Sequence, residues 1–299
     1  MKYLFFLLIC SALSTSMMAQ EDDFFLRDED EQDETQILES SEFQADDGLD
    51  GYYDDIVPRT LVEQSRVLPY EPLRELDVMW QRRIWRIVDT REKMNLGFRH
   101  PDKPLFHIFK DLAENADIRV FRDEKFKEPL AQEDLQGILN KVDTSVVYDP
   151  VTYEEQIKIT NSPINPEDIK RYRIKEVWYF DKKTSQVKVR ILGIAPIKDE
   201  FDENTGEFKY ELPLFWVYYP KATQFLAQER VFNDFNDIAP MSWYDLFESR
   251  FFSSYIYKQS NSLGLRLKDI YPESDYDVLL ESDKIKRELF NWEHDLWTY

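Results

Sequence analysis

The reactive side chains of this chain are few and scattered. Its 299 residues include three histidines, seven glycines and one cysteine. His100, His107 and His294 stand at no metal-ligand spacing and no HExxH occurs, so the zinc chemistry that such a pair on one helix face supports is not indicated. Gly193, Gly206 and Gly264 are isolated, and without neighbouring glycines no loop brings its amides onto a phosphate. Ser253 and Ser254 sit in Arg250-Phe251-Phe252-Ser253-Ser254-Tyr255, where aromatic bulk crowds the approach to a serine nucleophile; no GxSxG elbow is present. Carboxylates abound. Two of them facing across an aromatic-lined groove would hydrolyse or bind a glycan, so a carbohydrate-active enzyme or sugar-binding module is the alternative reading. The sequence predicts no catalytic residue, no metal, no cofactor and no enzymatic activity.

What remains is recognition. Arg82, Arg83 and Arg86 put a basic surface on the segment 73–94, which either faces water or meets an acidic segment of this chain or of a neighbour. Leu214-Phe215-Trp216-Val217-Tyr218-Tyr219 is apolar on both faces. Such a strand is buried if central to a sheet and invites a partner chain if it lies near an edge. The candidate partner-binding residues are therefore Arg82, Arg83, Arg86, Phe215, Trp216 and Tyr218.

These residues need elements to hold them. Leu73, Leu76, Trp80, Ile84, Ile87 and Met94 recur at three- and four-residue steps, which predicts an amphipathic helix over 73–94 closed by Asn95-Leu96-Gly97. Further helices are expected over 103–114, 132–140 and 223–231. Ser242-Trp243-Tyr244-Asp245 has the form of a capping box opening a helix to about residue 252. A last helix carries Ile285, Leu289, Trp292 and Leu296 behind a Ser282-Asp283 cap. Segments 117–122, 174–180, 187–194, 207–212 and 214–219 read as strands, and 161–168, with Pro163 and Pro166, as a loop. Short connections make the sheet antiparallel. The fold class is α+β, an antiparallel β-meander of about four strands with helices packed around it, preceded by a disordered acidic N-terminal segment.

That segment and its leader divide the chain into three. Lys2, an apolar run from Tyr3 to Leu13 and a small-residue stretch ending at Ala19 form a secretory signal, 1–19, too short for a stable membrane anchor. Cys10 follows Ile9, where lipidation would need a small residue, and cleavage after Ala19 leaves no cysteine in the mature protein. Disulfides and thiolate chemistry are then excluded. Residues 20–68 form an acidic linker. Between Glu21 and Asp55 stand 16 acidic residues against Arg27 alone, 15 of the chain's 21 net negative charges, with no periodic apolar pattern. It is a solvated spacer, a tether whose Phe24-Phe25-Leu26 patch docks on a partner, or a chaperone-like binder of exported clients. Residues 69–299 form a globular domain, mildly acidic and so unsuited to nucleic acid, with no second apolar stretch of membrane-spanning length.

Several segments of this domain together resemble one family. Asp77-Val78-Met79-Trp80-Gln81-Arg82-Arg83-Ile84-Trp85-Arg86-Ile87-Val88-Asp89-Thr90-Arg91-Glu92-Lys93-Met94-Asn95 is similar to the opening helix of the gliding-motility proteins GldN and PorN. So are Tyr172-Arg173-Ile174-Lys175-Glu176-Val177-Trp178-Tyr179-Phe180-Asp181 and Ile191-Leu192-Gly193-Ile194-Ala195-Pro196. Met241-Ser242-Trp243-Tyr244-Asp245-Leu246-Phe247-Glu248-Ser249-Arg250-Phe251-Phe252-Ser253-Ser254-Tyr255-Ile256-Tyr257-Lys258 is the closest of these matches. The resemblance runs in order over about 70–299. It implies a periplasmic, outer-membrane-associated structural component of the type IX secretion system. Such a component forms a ring from copies of itself and an outer-membrane lipoprotein of the GldK/PorK kind. The ring contacts the periplasmic region of an inner-membrane motor protein of the GldM/PorM kind, and supports protein export and, in gliding species, adhesin movement. On this reading the chain reaches the outer membrane through a partner and does not itself span a membrane. The carbohydrate-active alternative would act in the same periplasm.

Overall fold

The computed structural model of the protein describes residues 60–148, 155–202, 206–233, 236 and 238–296. The signal sequence expected over 1–19 and the disorder expected of the acidic segment as far as residue 59 lie outside them. In chain order the elements are β1 (Val78–Asp89), α1 (Leu105–Glu114), β2 (Val120–Phe121), α2 (Gln132–Leu139), β3 (Asn140–Tyr148), β4 (Glu155–Pro163), β5 (Ile169–Asp181), β6 (Gln186–Phe201), β7 (Phe208–Pro213), β8 (Trp216–Tyr218), α3 (Tyr219–Gln228), α4 (Trp243–Glu248), β9 (Tyr255–Gln259), α5 (Leu267–Ile270) and α6 (Asp275–Asp295). A seven-stranded sheet runs in the order β2-β8-β6-β5-β1-β9, with β7 also on β6; β3 and β4 form a separate two-stranded ribbon. Every named pairing is antiparallel, and the class is α+β with more strands than the expected four.

One of the additional strands is β1, where a helix was expected. Trp80, Ile84 and Val88 are four apart, and four is both one helical turn and two strand repeats, so the spacing alone does not discriminate. The strand wins because both faces are buried towards its end, with Ile84, Trp85, Arg86, Ile87 and Val88 all inside, and because Trp, Ile and Val fit a pleated surface. Trp80, Arg82, Ile84, Arg86 and Val88 share one face, opposite Phe180, Trp178, Glu176, Ile174 and Tyr172 of β5. The chain then turns through a 3-10 helix, Lys93–Arg99, in which the Asn95 side chain is buried and donates to the Asp89 and Ser253 carbonyls.

The turn of the β5–β6 hairpin falls where expected and is pinned by one carboxylate, while the strands run beyond 174–180 and 187–194, back to Ile169 and on to Phe201. Buried Asp181 accepts from the Lys183 amide (3.0 Å), the Thr184 hydroxyl (3.0 Å) and the Lys188 ammonium (2.7 Å). Chiefly through the Lys188 bond, its pKa falls from 3.8 to about 2. A bulge on β6 brings Gly193 beneath the Phe126 ring, where an added Cβ would lie 2.5 Å from Cζ. A side chain there would have to displace that ring.

One helix starts elsewhere than its sequence signal indicates. The Ser282-Asp283 pair does not cap the last helix. α6 begins a full eight residues earlier, behind Ser274, whose hydroxyl accepts from the Asp277 amide. Ser282 sits inside the helix and accepts the Ile256 amide of β9 at 2.8 Å, satisfying one outward N–H of that edge strand. Residues 161–168, expected as a loop, contain the end of β4 and a 3-10 turn, Pro166–Asp168, capped by the Asn165 side chain. The capping box at Ser242 and Asp245 forms as expected, with both reciprocal bonds at 3.1 Å. Its helix stops at Glu248, because Arg250 turns into the left-handed region at φ 56°.

Helices cover one sheet face. Its main core joins Val88, Tyr172, Ile174, Ile191 and Ile194 to Phe106 and Phe109 of α1, Leu226 of α3 and Trp243 and Phe247 of α4. A smaller core joins Ile84 and Ile256 to Ile285 and Leu289 of α6, with Trp80 and Trp178 against it. The core on the opposite face (Trp85, Ile87, Ala195, Trp216 and Tyr257) contains no helical residue.

Candidate functional site

Between the two cores of the helix-covered face lies a buried cluster of charge. On β1, Arg86 stands between Ile84 of the smaller core and Val88 of the larger. On β5, Glu176 stands between Ile174 and Trp178 in the same way. Glu176 is fully buried, and its two oxygens accept from three donors: Arg86 Nε at 3.0 Å, Trp178 Nε1 at 3.1 Å and Arg250 Nη2 at 2.8 Å. Arg250 arrives from the turn after α4, its left-handed backbone turning the side chain over Trp178 and Phe252. Burial alone would raise the Glu176 pKa, but the two guanidinium groups outweigh it and hold the carboxyl below its ordinary range. Burial lowers the pKa of Arg86, and the neighbouring Arg250 adds to that while Glu176 opposes it. A carboxylate so held cannot serve as a general acid near neutrality, which needs a raised pKa.

The cluster floors a cleft of about 660 Å³ whose walls include Trp178, Phe252, Lys286 and Phe290. Phe290, on α6, is largely exposed.

The opposite face carries a second ionic cluster. Because side chains alternate, Arg171 and Arg173 of β5 point away from Glu176. Arg171 bridges Asp199 of β6 and Glu211 of β7, and Arg173 donates to the other oxygen of Glu211 at 2.8 Å. Arg173 also lies over the Tyr257 ring. Lys175 is covered by the loop after β2. There the Asp123 carboxylate accepts the amides of Lys125, Lys127 and Glu128, and Lys175 donates to the Glu124 carbonyl beneath the Phe126 ring. Burial lowers the Lys175 pKa.

Among the described residues, two apolar surfaces are uncovered. β7 pairs only with β6 among the described residues, leaving its outer edge open, and Phe208, Tyr210 and Leu212 alternate onto one side of it, with Phe208 against Phe201. On α6, Tyr276, Leu279, Leu280 and Phe290 are exposed on the side turned away from buried Ile285 and Leu289.

The residues singled out from sequence are dispersed among these features. Arg83 is exposed and Arg82 half-buried over the Trp80 ring, on opposite faces of β1. Arg86 is inside the fold, where the helix reading had placed it on a surface. Phe215 belongs to the main core and Trp216 to the core of the opposite face, because β8 is held between β2 and β6. Tyr218 is half-buried, edge-on to Phe126. Glu176 was missed, although its place was readable: it is the one acid in phase with Tyr172, Ile174, Trp178 and Phe180. Arg250 had no such signal. Of the histidines, His100 and His107 line a shallow depression of about 450 Å³ beside Asp102. Among the described residues no group of three or more His, Cys, Asp or Glu is placed to hold a metal ion, and no helix is long and apolar enough to cross a membrane.

Compared with known proteins, residues 73–298 match a family model described as gliding motility associated protein GldN. No curated protein matches the chain.

Proposed function

The chain belongs to the GldN family of gliding-motility-associated proteins, and from that premise we propose that it is a periplasmic structural subunit of the type IX secretion machinery. It assembles head to tail with its own copies and with an outer-membrane lipoprotein of the GldK kind. The resulting ring meets the periplasmic part of a GldM-like motor and supports protein export. The observation that carries this reading is the pair of unlike apolar surfaces on one folded unit, the open β7 edge and the outer side of α6. A ring closes only if donor and acceptor patches differ, and an open strand edge is a ready template for pairing. Arg82, Arg83 and Tyr218 are the partner-facing surface residues among those chosen from sequence, and Phe215 and Trp216 stabilise the fold.

Affinity purification of the tagged full chain from cell envelopes, followed by particle imaging, tests the reading. Large annular particles containing a lipoprotein are expected. Phe208→Glu combined with Tyr210→Glu, both at exposed positions, should disperse them without lowering the thermal midpoint. A strictly monomeric protein in gentle envelope extracts would sink the proposal.

A further inference from the structure

Among the described residues the cleft over Arg86 carries a charge imbalance. Two guanidinium groups share the single carboxylate of Glu176, so the floor keeps one net positive charge. Arg86 is only 4% exposed; its Nε donates to Glu176, its guanidinium lies over the Trp178 ring, and it lines the cleft. Arg250 likewise spends one Nη2 bond on Glu176 and is partly open to the cleft. Partly dehydrated guanidinium donors in a fixed fork suit an incoming anionic oxygen, and an uncompensated charge next to two cores is unfavourable until one arrives.

The walls narrow the choice of anion. Trp178, Phe252 and Phe290 are apolar, while Asp283 and Glu293 stand among the lining residues beside Lys286 and Arg287. Those two acids repel a doubly charged phosphate more than a single carboxylate, and the rings suit a group attached to carbon. The volume is within the roughly 300–1,000 Å³ of pockets that enclose a drug-sized ligand, the bulk of about two or three side chains.

We propose that this cleft receives an aspartate or glutamate side chain of a partner polypeptide, its carboxylate on Arg86 and Arg250 and an adjacent apolar side chain against Trp178 and Phe290. The proposal rests on the subunit reading only in taking the partner to be a polypeptide.

The test is calorimetric titration of the full mature chain with four probes. They are the capped peptide Ala-Phe-Glu-Phe-Ala, its analogue with Gln in place of Glu, acetate, and inorganic phosphate. The Glu peptide should bind at least about tenfold more tightly than the other three, the discrimination expected when a charge-assisted bond is lost. Phe290→Glu, an exposed change that puts a competing carboxylate at the wall, should weaken the Glu peptide at least about tenfold with the thermal midpoint unchanged. Equal affinity for the Glu and Gln peptides, phosphate binding as tightly as the Glu peptide, no binding at millimolar peptide, or an indifferent Phe290→Glu variant would each overturn the assignment. A chain that binds the Glu peptide yet is monomeric in envelope extracts would remove the ring reading and leave the cleft standing.

Discussion

Two arginine–carboxylate clusters stand back to back on β5, one on each face of the sheet, and they do opposite work. Glu176 is sealed between two apolar cores and bonds both Arg86 and Arg250. Glu211 and Asp199 hold Arg171 and Arg173 on the opposite face, where their side chains line a cleft and keep some contact with water. The buried cluster cannot lose a member without stranding a charge in low dielectric. The outer one can trade partners for solvent. The same residue types thus serve as a fixed strut on one face and as an adjustable tie on the other.

The strongest way to break this contrast is Glu176→Leu. It leaves Arg86 buried without its counter-ion and should cost about 3–5 kcal/mol in denaturant unfolding. A loss below about 1 kcal/mol would mean that water compensates Arg86 as readily as Glu176 does, and the distinction between the faces would collapse.

Acid sharpens it further. The Glu176 pKa lies below its ordinary 4.5 in the folded protein, so the unfolded chain binds more protons in that range and stability rises with pH. Its contribution is fully present above about 4.5 and is lost as pH falls through the lowered folded value. Unfolding free energies measured from pH 6 down to about 3 should show a shallower slope in Glu176→Gln than in the wild type. An unchanged slope would show that the two arginines do not hold the carboxylate ionised.

The smallest expected effect is that of Glu211→Gln. Arg171 keeps Asp199 and Arg173 keeps the Tyr257 ring, so the loss should be about 1 kcal/mol and should shrink as salt is raised. A loss as large as that of Glu176→Leu, insensitive to salt, would put both clusters in the same class.

How much of this was legible beforehand varied with the range of the interactions involved. The β5–β6 hairpin was, because β-branched and aromatic residues alternate on either side of a short polar turn. So was the capping box, whose two members are three residues apart. The buried cluster was half legible: Glu176 falls in the apolar phase of its strand, a signal that needs only the sequence, but nothing near Arg250 announces that its side chain crosses to meet it. Ser282 misled because serine followed by aspartate has the look of a cap, while its actual bond runs to a strand amide 26 positions away.

By itself the sequence determined what is decided within a turn or two of chain: the α+β character, the amphipathic α1, the pinned hairpin and the capping box at Ser242. Those interactions close over a few residues, so their chemistry is written locally. Only the tertiary structure decided that β1 is a strand and that Arg86 lies inside. Trp80, Ile84 and Val88 satisfy both periods, and the choice between them falls to the partners that cover each face. Glu176 lies 90 positions from Arg86 and 74 from Arg250, and burial, which makes that carboxylate indispensable, exists only once β5, β1, the turn after α4 and α6 have come together.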